Sequence, residues 1–492
     1  MKYRIIGISA AAVLMVLTAV LLKLDSANPK NRIHQHLTAR QPDAGCDCDD
    51  SELCTHLPLV IIDTEGQEIP GEDTHIDDKY GEAIYTVAED GRSVIDANIS
   101  IIDNQDRNNH PSDTAAVETI SEIRLRGHSS RLFDKEQYLL NFVDENGDGR
   151  QLEVMGMSAH SDWALYGPYL DKSLVRNYMW YNISGELMEW APNVRYCELI
   201  LDGEYRGLYL MVETITNGED CRLNLSDTAK GTDVTGYLIR ADRTTEADID
   251  GIRDPYTYIE RLMIFLNDYA IRYPKKPSLT QELCEQIEQD FAKFEKSLYS
   301  YDHDTDDYGY WNYIDEYSFV YYYLINEFTL NIDAGSYSTY IYKDMSGKYK
   351  MAVWDFNNSC DNYIETETFY GEFLLHDKPL YFMLFKTERF VEKVIETYHQ
   401  LRETYFSDEY LDNYIDQTLE YLGPAIDRNF EVWGYTFTEY LELEPQERNP
   451  ATHEEAVEDL KDWLHKRGSF MDRSIHTLNQ YAHPSRNKTF NH

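Results

Sequence analysis

The sequence predicts an α+β fold in two lobes, strand-rich in its first part and helix-rich in its last. Three observations carry that expectation. Short alternating apolar runs bounded by Gly, Asn and Asp dominate the first half. Helical periodicity takes over from Ser278 onward. Strands and helices show little βαβ alternation, which argues against a doubly wound sheet. The 492 residues are enough for a large core or two domains.

At the start, Lys2 and Arg4 precede an uncharged run from Ile5 to Leu22. Such a run is either a secretory signal peptide or a membrane anchor. No clean A-x-A cleavage site follows it, and the leading positive charge places the N-terminus inside and the body outside. Residues 1–23 are assigned to this segment, and the polar, acidic, aperiodic residues 24–56 to a linker. The domain is expected over 57–476, with 477–492 as a tail.

Within the domain, LPLVIIDTEGQEI reads as a strand and turn. ISEIRLRGHSSRLF, from Ile120, alternates into a Gly-Ser turn, and KEQYLLNFVDENGDG is a strand ending at Asn146-Gly147. VRYCELILDGEYRGLYLMVETI predicts a hairpin turning at Asp202-Gly203. A capping box at Ser278 and Gln281 is expected to open a helix carrying Leu279, Leu283, Ile287, Phe291, Phe294 and Leu298. A second helix is expected over Asp315 to Phe328, and mostly helix after Asp355. The acidic, Tyr-rich segment 241–312 reads as an insertion suited to recognising a partner.

The formal net charge is -43, from 45 basic and 88 acidic residues. That excludes a nucleic-acid partner, because phosphate binding needs basic surface. It suits divalent cations or a basic protein partner, as well as plain solubility. Seven cysteines are present, and Cys46, Cys48 and Cys54 cluster in CDCDDSELC. Disulfides fit an exported chain, with a pairing that cannot be read from spacing. A metal site is the weaker alternative, because C-x-C-x5-C lacks a fourth ligand at the usual spacing.

The chemistry concentrates in NIDAGSYSTYIYKDMSGKYKMAVWDFNN. Tyr337 to Lys343 and Lys348 to Trp354 alternate as strands around a turn at Asp344 to Gly347. A hairpin brings the chain back to its origin, so Asp333 and Asp355 fall at the same end. Two converging carboxylates call for a cation or a proton-transfer role, although each alone could simply cap a turn. RLRGHSSR offers a loop of backbone N–H groups to phosphate, or merely turns a hairpin; Lys135 follows it as a cation or a surface lysine. DKSLVRN at 171–177 reads as a helix start, in which Arg176 pairs with a buried carboxylate or sits at the surface. Glu213 partners Lys135, contacts a nucleotide, or only ends a strand. A glycosidase acid/base pair at Asp333 and Asp355 is a further class, without a sugar-binding aromatic pattern to single it out.

Taken in order, LPLVIIDTEGQEI, RLRGHSSRLFDKEQYLLNF, WALYGPYLDKSLVRN, ELILDGEYRGLYLMVE, NIDAGSYSTYIYKD and KMAVWDFNN resemble the CotH kinase family, the family of a spore-coat assembly protein, over roughly residues 57 to 476. AIDRNFEVW and DLKDWLHKRGSFMD look similar as well. The resemblance implies an atypical, protein-kinase-like fold, secreted or envelope-associated. It also implies use of ATP with Mg2+ or Mn2+ to phosphorylate Ser or Thr on coat or envelope proteins. Asp333 then takes the catalytic-loop role and Asp355 the metal-binding role, with Ser338 and Asn357 as further metal ligands. Lys135, Ser129, Ser130, Arg131 and Glu213 fall to the nucleotide. The chain departs from its relatives at Asn357, where many carry a second acid, and at Ser338, where many carry Asn. A non-catalytic binding, assembly or adhesion protein on the same fold is the alternative. An uncleaved N-terminal segment would add the membrane as a partner.

Overall fold

Strands of alternating pattern must bury one face, and in the computed structural model seven of them do so by closing on themselves. The structure describes residues 32–42, 46, 48, 52–73, 84–127, 129–218, 223–226, 235–242 and 268–483. The expected N-terminal hydrophobic segment, Cys221, most of the 241–312 segment's first half and residues 484–492 lie outside them. Contacts divide the chain at residue 34. Only 32–34 of the first unit are described, and all that follows concerns residues 35–492. Among the described residues no helix is long and apolar enough to cross a membrane.

The strands run in order β1 (Leu59–Asp63), β2 (Ile95–Ile102), β3 (Val117–Leu125), β4 (Tyr138–Val143), β5 (Leu152–Val154), β6 (Met157–His160), β7 (Asp162–Tyr166), β8 (Val194–Leu201), β9 (Glu204–Glu213), β10 (Tyr237–Asp242), β11 (Asp268–Tyr273), β12 (Thr339–Lys343) and β13 (Lys350–Ala352). The barrel order is β1-β2-β3-β4-β7-β9-β8, and β1 closes it by pairing parallel with β8, Leu59 opposite Glu198. A second sheet has the order β11-β10-β12-β13, and β5-β6 form a small ribbon.

Period-two alternation decides what each barrel strand faces. Ile95, Ala97 and Ile99 of β2, with Ile123, Leu140, Phe142 and Trp163, fill the barrel interior. β8 and the later part of β9 are buried on both faces, β9 reading as the apolar run LYLMV and β8 enclosing the charged Arg195 and Glu198. Cys197, Leu199, Tyr209 and Met211 point into the barrel. Val194, Tyr196, Leu208 and Leu210 point outward into a larger helical core. The expected hairpin turns at Asp202 and Gly203, with φ 51° and 80°, the left-handed pair that a two-residue turn requires.

α1 (Gln35–Thr38) is a single helical turn. It lies in the stretch expected as linker, yet it is docked: the Gln35 amide donates to Tyr196 O at 3.1 Å and accepts from Tyr196 N at 2.7 Å. α2 (Arg176–Leu187) is buried over Arg176 to Gly185. Such a helix has no polar face to show a period. α3 (Gln281–Tyr299) buries Leu283, Ile287, Phe291, Phe294 and Leu298, as the pattern requires. Its cap differs from expectation. Pro277 shapes a 3-10 turn over Lys276–Ser278, so Thr280, two residues on, accepts from Leu283 N at 3.3 Å. β11 and α3 belong to the sheet and the main core, so residues 268–299 of the segment read as an insertion are structural.

α4 (Glu316–Phe328) is capped by Asp315, as expected. Beyond β13 the chain is helical: α5 (Tyr381–Leu384), α6 (Glu388–Arg402), α7 (Asp408–Leu422), α8 (Pro424–Trp433) and α9 (His453–Ser474). The expected tail is ordered to residue 483, with Leu478 buried and His483 N bonded to Lys386 O at 3.0 Å.

α4 and α9 are joined by a fully buried ion pair, Arg467 to Glu327 at 2.7 Å. Arg467 also donates to the carbonyls of Glu327, Tyr370 and Glu372, and Glu327 accepts from Leu374 N and Leu375 N. Removing one partner strands a charge in the core, at a cost of about 3–5 kcal/mol. Arg467→Met is therefore expected to lower the urea midpoint sharply. An exposed control, Lys466→Met, is expected to leave it nearly unchanged, and equal midpoints for the two would contradict this account.

Candidate functional site

The hairpin forms as its alternation requires: Tyr340, Ile341 and Tyr342 of β12 face Ala352, Met351 and Lys350 of β13. The chain turns at Asp344 to Gly347, Gly347 N bonding to Asp344 O at 3.0 Å. Asp333 lies before β12 in a loop that follows α4. Its carbonyl accepts from Ser336 N at 3.1 Å and Tyr337 N at 2.7 Å, which fixes the loop. Gly335 has φ +81°, and a Cβ there would stand 2.9 Å from Lys378 Cβ, so only glycine lets Lys378 lie against this loop. Ser338 and Asp355, at the two mouths of the hairpin, both have left-handed backbones, φ 46° and 59°. Such conformations cost free energy and collect at functional sites.

α2 holds the Asp355 segment in place. Tyr181 Oη accepts from Asp355 N at 3.0 Å, and Asn177 Oδ1 accepts from Phe356 N at 2.7 Å. Arg176, buried at the start of the helix, donates to Ser359 O at 3.0 Å and Cys360 O at 3.1 Å. Its charge meets Asp171 at 2.6 Å, the buried carboxylate that one reading of the sequence called for.

Charge around Asp355 is mixed and desolvated. Burial pushes its carboxyl up to about 6; Arg126 opposes the shift, and the negative charges of Asp333 and Asp242 add to it. Asp333 and Asp355 are therefore electrostatic neighbours, as the hairpin argument requires. Asn358 Nδ2 donates to Asp333 Oδ2 at 2.9 Å. Burial lowers the Lys378 amine, and Asp333 pulls it back up. Lys378 Nζ donates to Ile332 O at 3.3 Å, one residue from Asp333. Asn357 Oδ1 is buried and accepts no hydrogen bond. An amide oxygen in that state beside a desolvated carboxylate fits the hard-ligand set of a divalent cation.

A group of guanidiniums stands on the barrel side. Arg126 lies over the Trp354 ring at 5.5 Å from its centre, and its side chain donates to Gln137 Oε1 at 2.6 Å. Burial lowers Arg124, and Arg131, Arg126 and Arg272 lower it further. Among the described residues, neither Arg124 nor Arg126 has a carboxylate at salt-bridge distance. In so acidic a chain, Arg124 and Arg126 side by side fit an anion such as a phosphate.

The other expected residues are distributed differently. Ser129 opens a 3-10 turn, Ser129–Leu132. Ser130 packs over Gly127, whose φ is +102°. Arg131 is committed to Gly127 O at 2.6 Å, to Gly71 O and to the Tyr85 ring. Lys135 precedes β4 rather than lying on it. It is buried, its amine held well below the ordinary range by burial, and it donates to Asn429 Oδ1 of α8 at 2.7 Å. It does not pair with Glu213, which accepts from Asn193 N at 2.9 Å and Asn193 Nδ2 at 3.0 Å. Gly207 allows this approach of α8: a Cβ there would meet Asn429 Oδ1 at 2.6 Å.

Sequence reasoning missed Arg126, Asp242 and Lys378 as members of the site. Arg126 stood inside RLRGHSSR and was legible as a flank; Asp242 ends β10 beside the start of β12, Ala241 opposite Thr339. Lys378 carries no local signal.

A seven-stranded barrel joined to a helical body, with paired aspartates at one hairpin, defines the class. A family model described as CotH kinase protein matches residues 123–471, most of the chain, and the chain belongs to that family. The match begins within β3, so LPLVIIDTEGQEI lies outside it. No curated protein matches the chain.

Because the folded Asp355 carboxyl titrates near 6 and the unfolded one near 3.8, the native state retains this proton longer. The stability it contributes is present below about pH 4 and is lost as pH rises through about 6. Without divalent metal, Asp355→Asn is expected to be more stable than the unaltered chain at neutral pH, by on the order of 2 kcal/mol. That difference should shrink toward about pH 4, and thermal melts across this range check it; a pH-independent difference would count against the assignment.

Proposed function

We propose that the chain is an ATP- and divalent-metal-dependent protein Ser/Thr kinase working outside the cytoplasm, anchored or secreted through residues 1–23. The observation that carries this reading is the placement of Asp333 and Asp355 at one end of a single hairpin, with the Arg124 and Arg126 guanidiniums on the barrel side. Asp355 and the Asn357 amide oxygen would hold Mg2+ or Mn2+, with Ser338 at the opposite mouth of the hairpin. Arg126 and Arg124 would hold phosphate. When bound, ATP and the metal supply the transferable phosphoryl group and neutralise its charge.

The chain's own residues do the positioning. Asp333 receives the hydroxyl hydrogen of an incoming Ser or Thr, Asn358 fixes its carboxylate, and Lys378 offsets its charge. Lys135, enclosed against Asn429, supports the barrel–α8 contact, and a route from it to phosphate would require that contact to open. A basic protein substrate suits the net charge of -43. The neutral Asn357 and Asn358 favour a second reading, a nucleotide-binding assembly protein without transfer.

The test incubates the purified chain and a basic Ser/Thr-rich protein with labelled ATP, with and without Mg2+ or Mn2+. Metal-dependent labelling is expected, falling at least about 100-fold in Asp333→Ala and Asp355→Ala. Nucleotide binding without transfer selects the second reading, and absence of nucleotide binding defeats the proposal.

A further inference from the structure

Outside this site the structure assembles a second constellation. The thiols of Cys46, Cys48 and Cys54 and a ring nitrogen of His110 all lie within 4.8 Å of one another. The local spacing C-x-C-x5-C lacked a fourth ligand; the connection between β2 and β3 supplies it. Cys46 Sγ and His110 Nε2 are 3.6 Å apart. Two ligands of a tetrahedral zinc, with bonds of about 2.3 Å to sulfur and 2.0–2.1 Å to nitrogen, stand about 3.6 Å apart.

The surroundings match such a centre. The Asp113 carboxylate lies 3.3 Å from His110 Nδ1 and accepts from His110 N at 3.0 Å. Asp113 thus accepts a hydrogen bond from Nδ1–H and favours the tautomer in which Nε2, the nitrogen that faces Cys46, keeps its lone pair free. This carboxylate–imidazole arrangement is the usual support of a metal-bound histidine. Arg107, at 2.8 Å, and Asn104 Nδ2, at 2.9 Å, orient Asp113 in turn. Asn108 Nδ2 points at Cys54 Sγ, 3.1 Å away, as a donor to a thiolate would. Thr55 and Asn109 exchange both backbone hydrogen bonds, at 3.1 and 2.7 Å, so the two ligand-bearing segments are already tied together. His110 is buried. A disulfide would consume two of the three clustered thiols and strand the third, whereas a metal uses all three and the histidine.

We infer that Cys46, Cys48, Cys54 and His110 form a closed, structural Cys3His zinc site that fastens the segment preceding β1 to the β2–β3 connection. Binding releases three thiol protons and leaves a net single negative charge at the centre. Four protein ligands leave no open position, so the site is structural rather than hydrolytic. All four residues precede residue 123, where the family match begins, and none belongs to the kinase-like site.

The experiment uses the full chain without a histidine tag, isolated without reductant and again under reducing conditions. One zinc per chain is expected in both, released by a thiol-blocking mercurial. Cys54→Ser and His110→Ala should lose the metal to a chelator that the unaltered chain resists, and Asp113→Asn should bind about 10–100-fold more weakly. Should the ligand variants fail to fold, cobalt substitution in the unaltered chain decides, with the spectrum of a tetrahedral, thiolate-rich centre expected. A disulfide among the three cysteines, freely titrating thiols in metal-free protein, or zinc content unchanged in the variants would each overturn the inference.

Discussion

Arg176 is the side chain on which the geometry of the candidate site depends. A buried guanidinium is tolerable only when its charge and its donors are all used. Here the charge goes to Asp171, and further donors go to Ser173 Oγ and to the carbonyls of Ser359 and Cys360. The residue thereby joins the turn before α2 to the segment after Asp355. α2 is itself fixed to the barrel wall, where the Tyr178 and Tyr196 rings lie 4.4 Å apart. Asp355 therefore takes its position from β8 through α2 as well as from the hairpin, and Asn331 Nδ2, in the loop that carries Asp333, donates to Asp355 O at 3.1 Å. A left-handed backbone at Asp355 can persist because both of its flanks are held.

The parts of the fold legible in the sequence were those whose signal is local. The Asp202-Gly203 turn, the β12–β13 hairpin and the apolar stripe of α3 each follow from residues a few positions apart. Pairing of the two aspartates followed because a hairpin is itself a local object. What stayed hidden required distant partners. α2, buried all round, shows no period beyond the start that DKSLVRN marks. Lys135 looked like a phosphate contact because the partner that encloses it, Asn429, lies 294 positions away. Lys378 reaches Asp333 through a loop packed over Gly335, and nothing near it in sequence marks it. The fourth ligand of the cysteine cluster was hidden for the same reason, since only barrel folding brings His110 to the thiols.

Net charge and local charge part company in this molecule. The chain carries a surplus of 43 negative charges, yet Arg124, Arg126, Arg131 and Arg272 influence one another across the face near Trp354. Screening confines most surface charge to within about 10 Å, so these guanidiniums, with Asp333, Asp355 and Asp242 near them, make a mixed-charge face within the acidic whole.

Barrel closure by β1 and β8 has a consequence for how the chain must fold. Leu59 finds Glu198 across 139 intervening steps of the chain, and pairing at such separation forms late because the loop entropy is met before any contact is gained. Until β8 arrives, one edge of β1 offers unpaired N–H and C=O groups beside the apolar run LVII, the kind of edge that recruits other chains. The risk of misassembly is thus concentrated in the interval between synthesis of the first strand and the eighth. During it, cover for the edge has to come from outside the barrel.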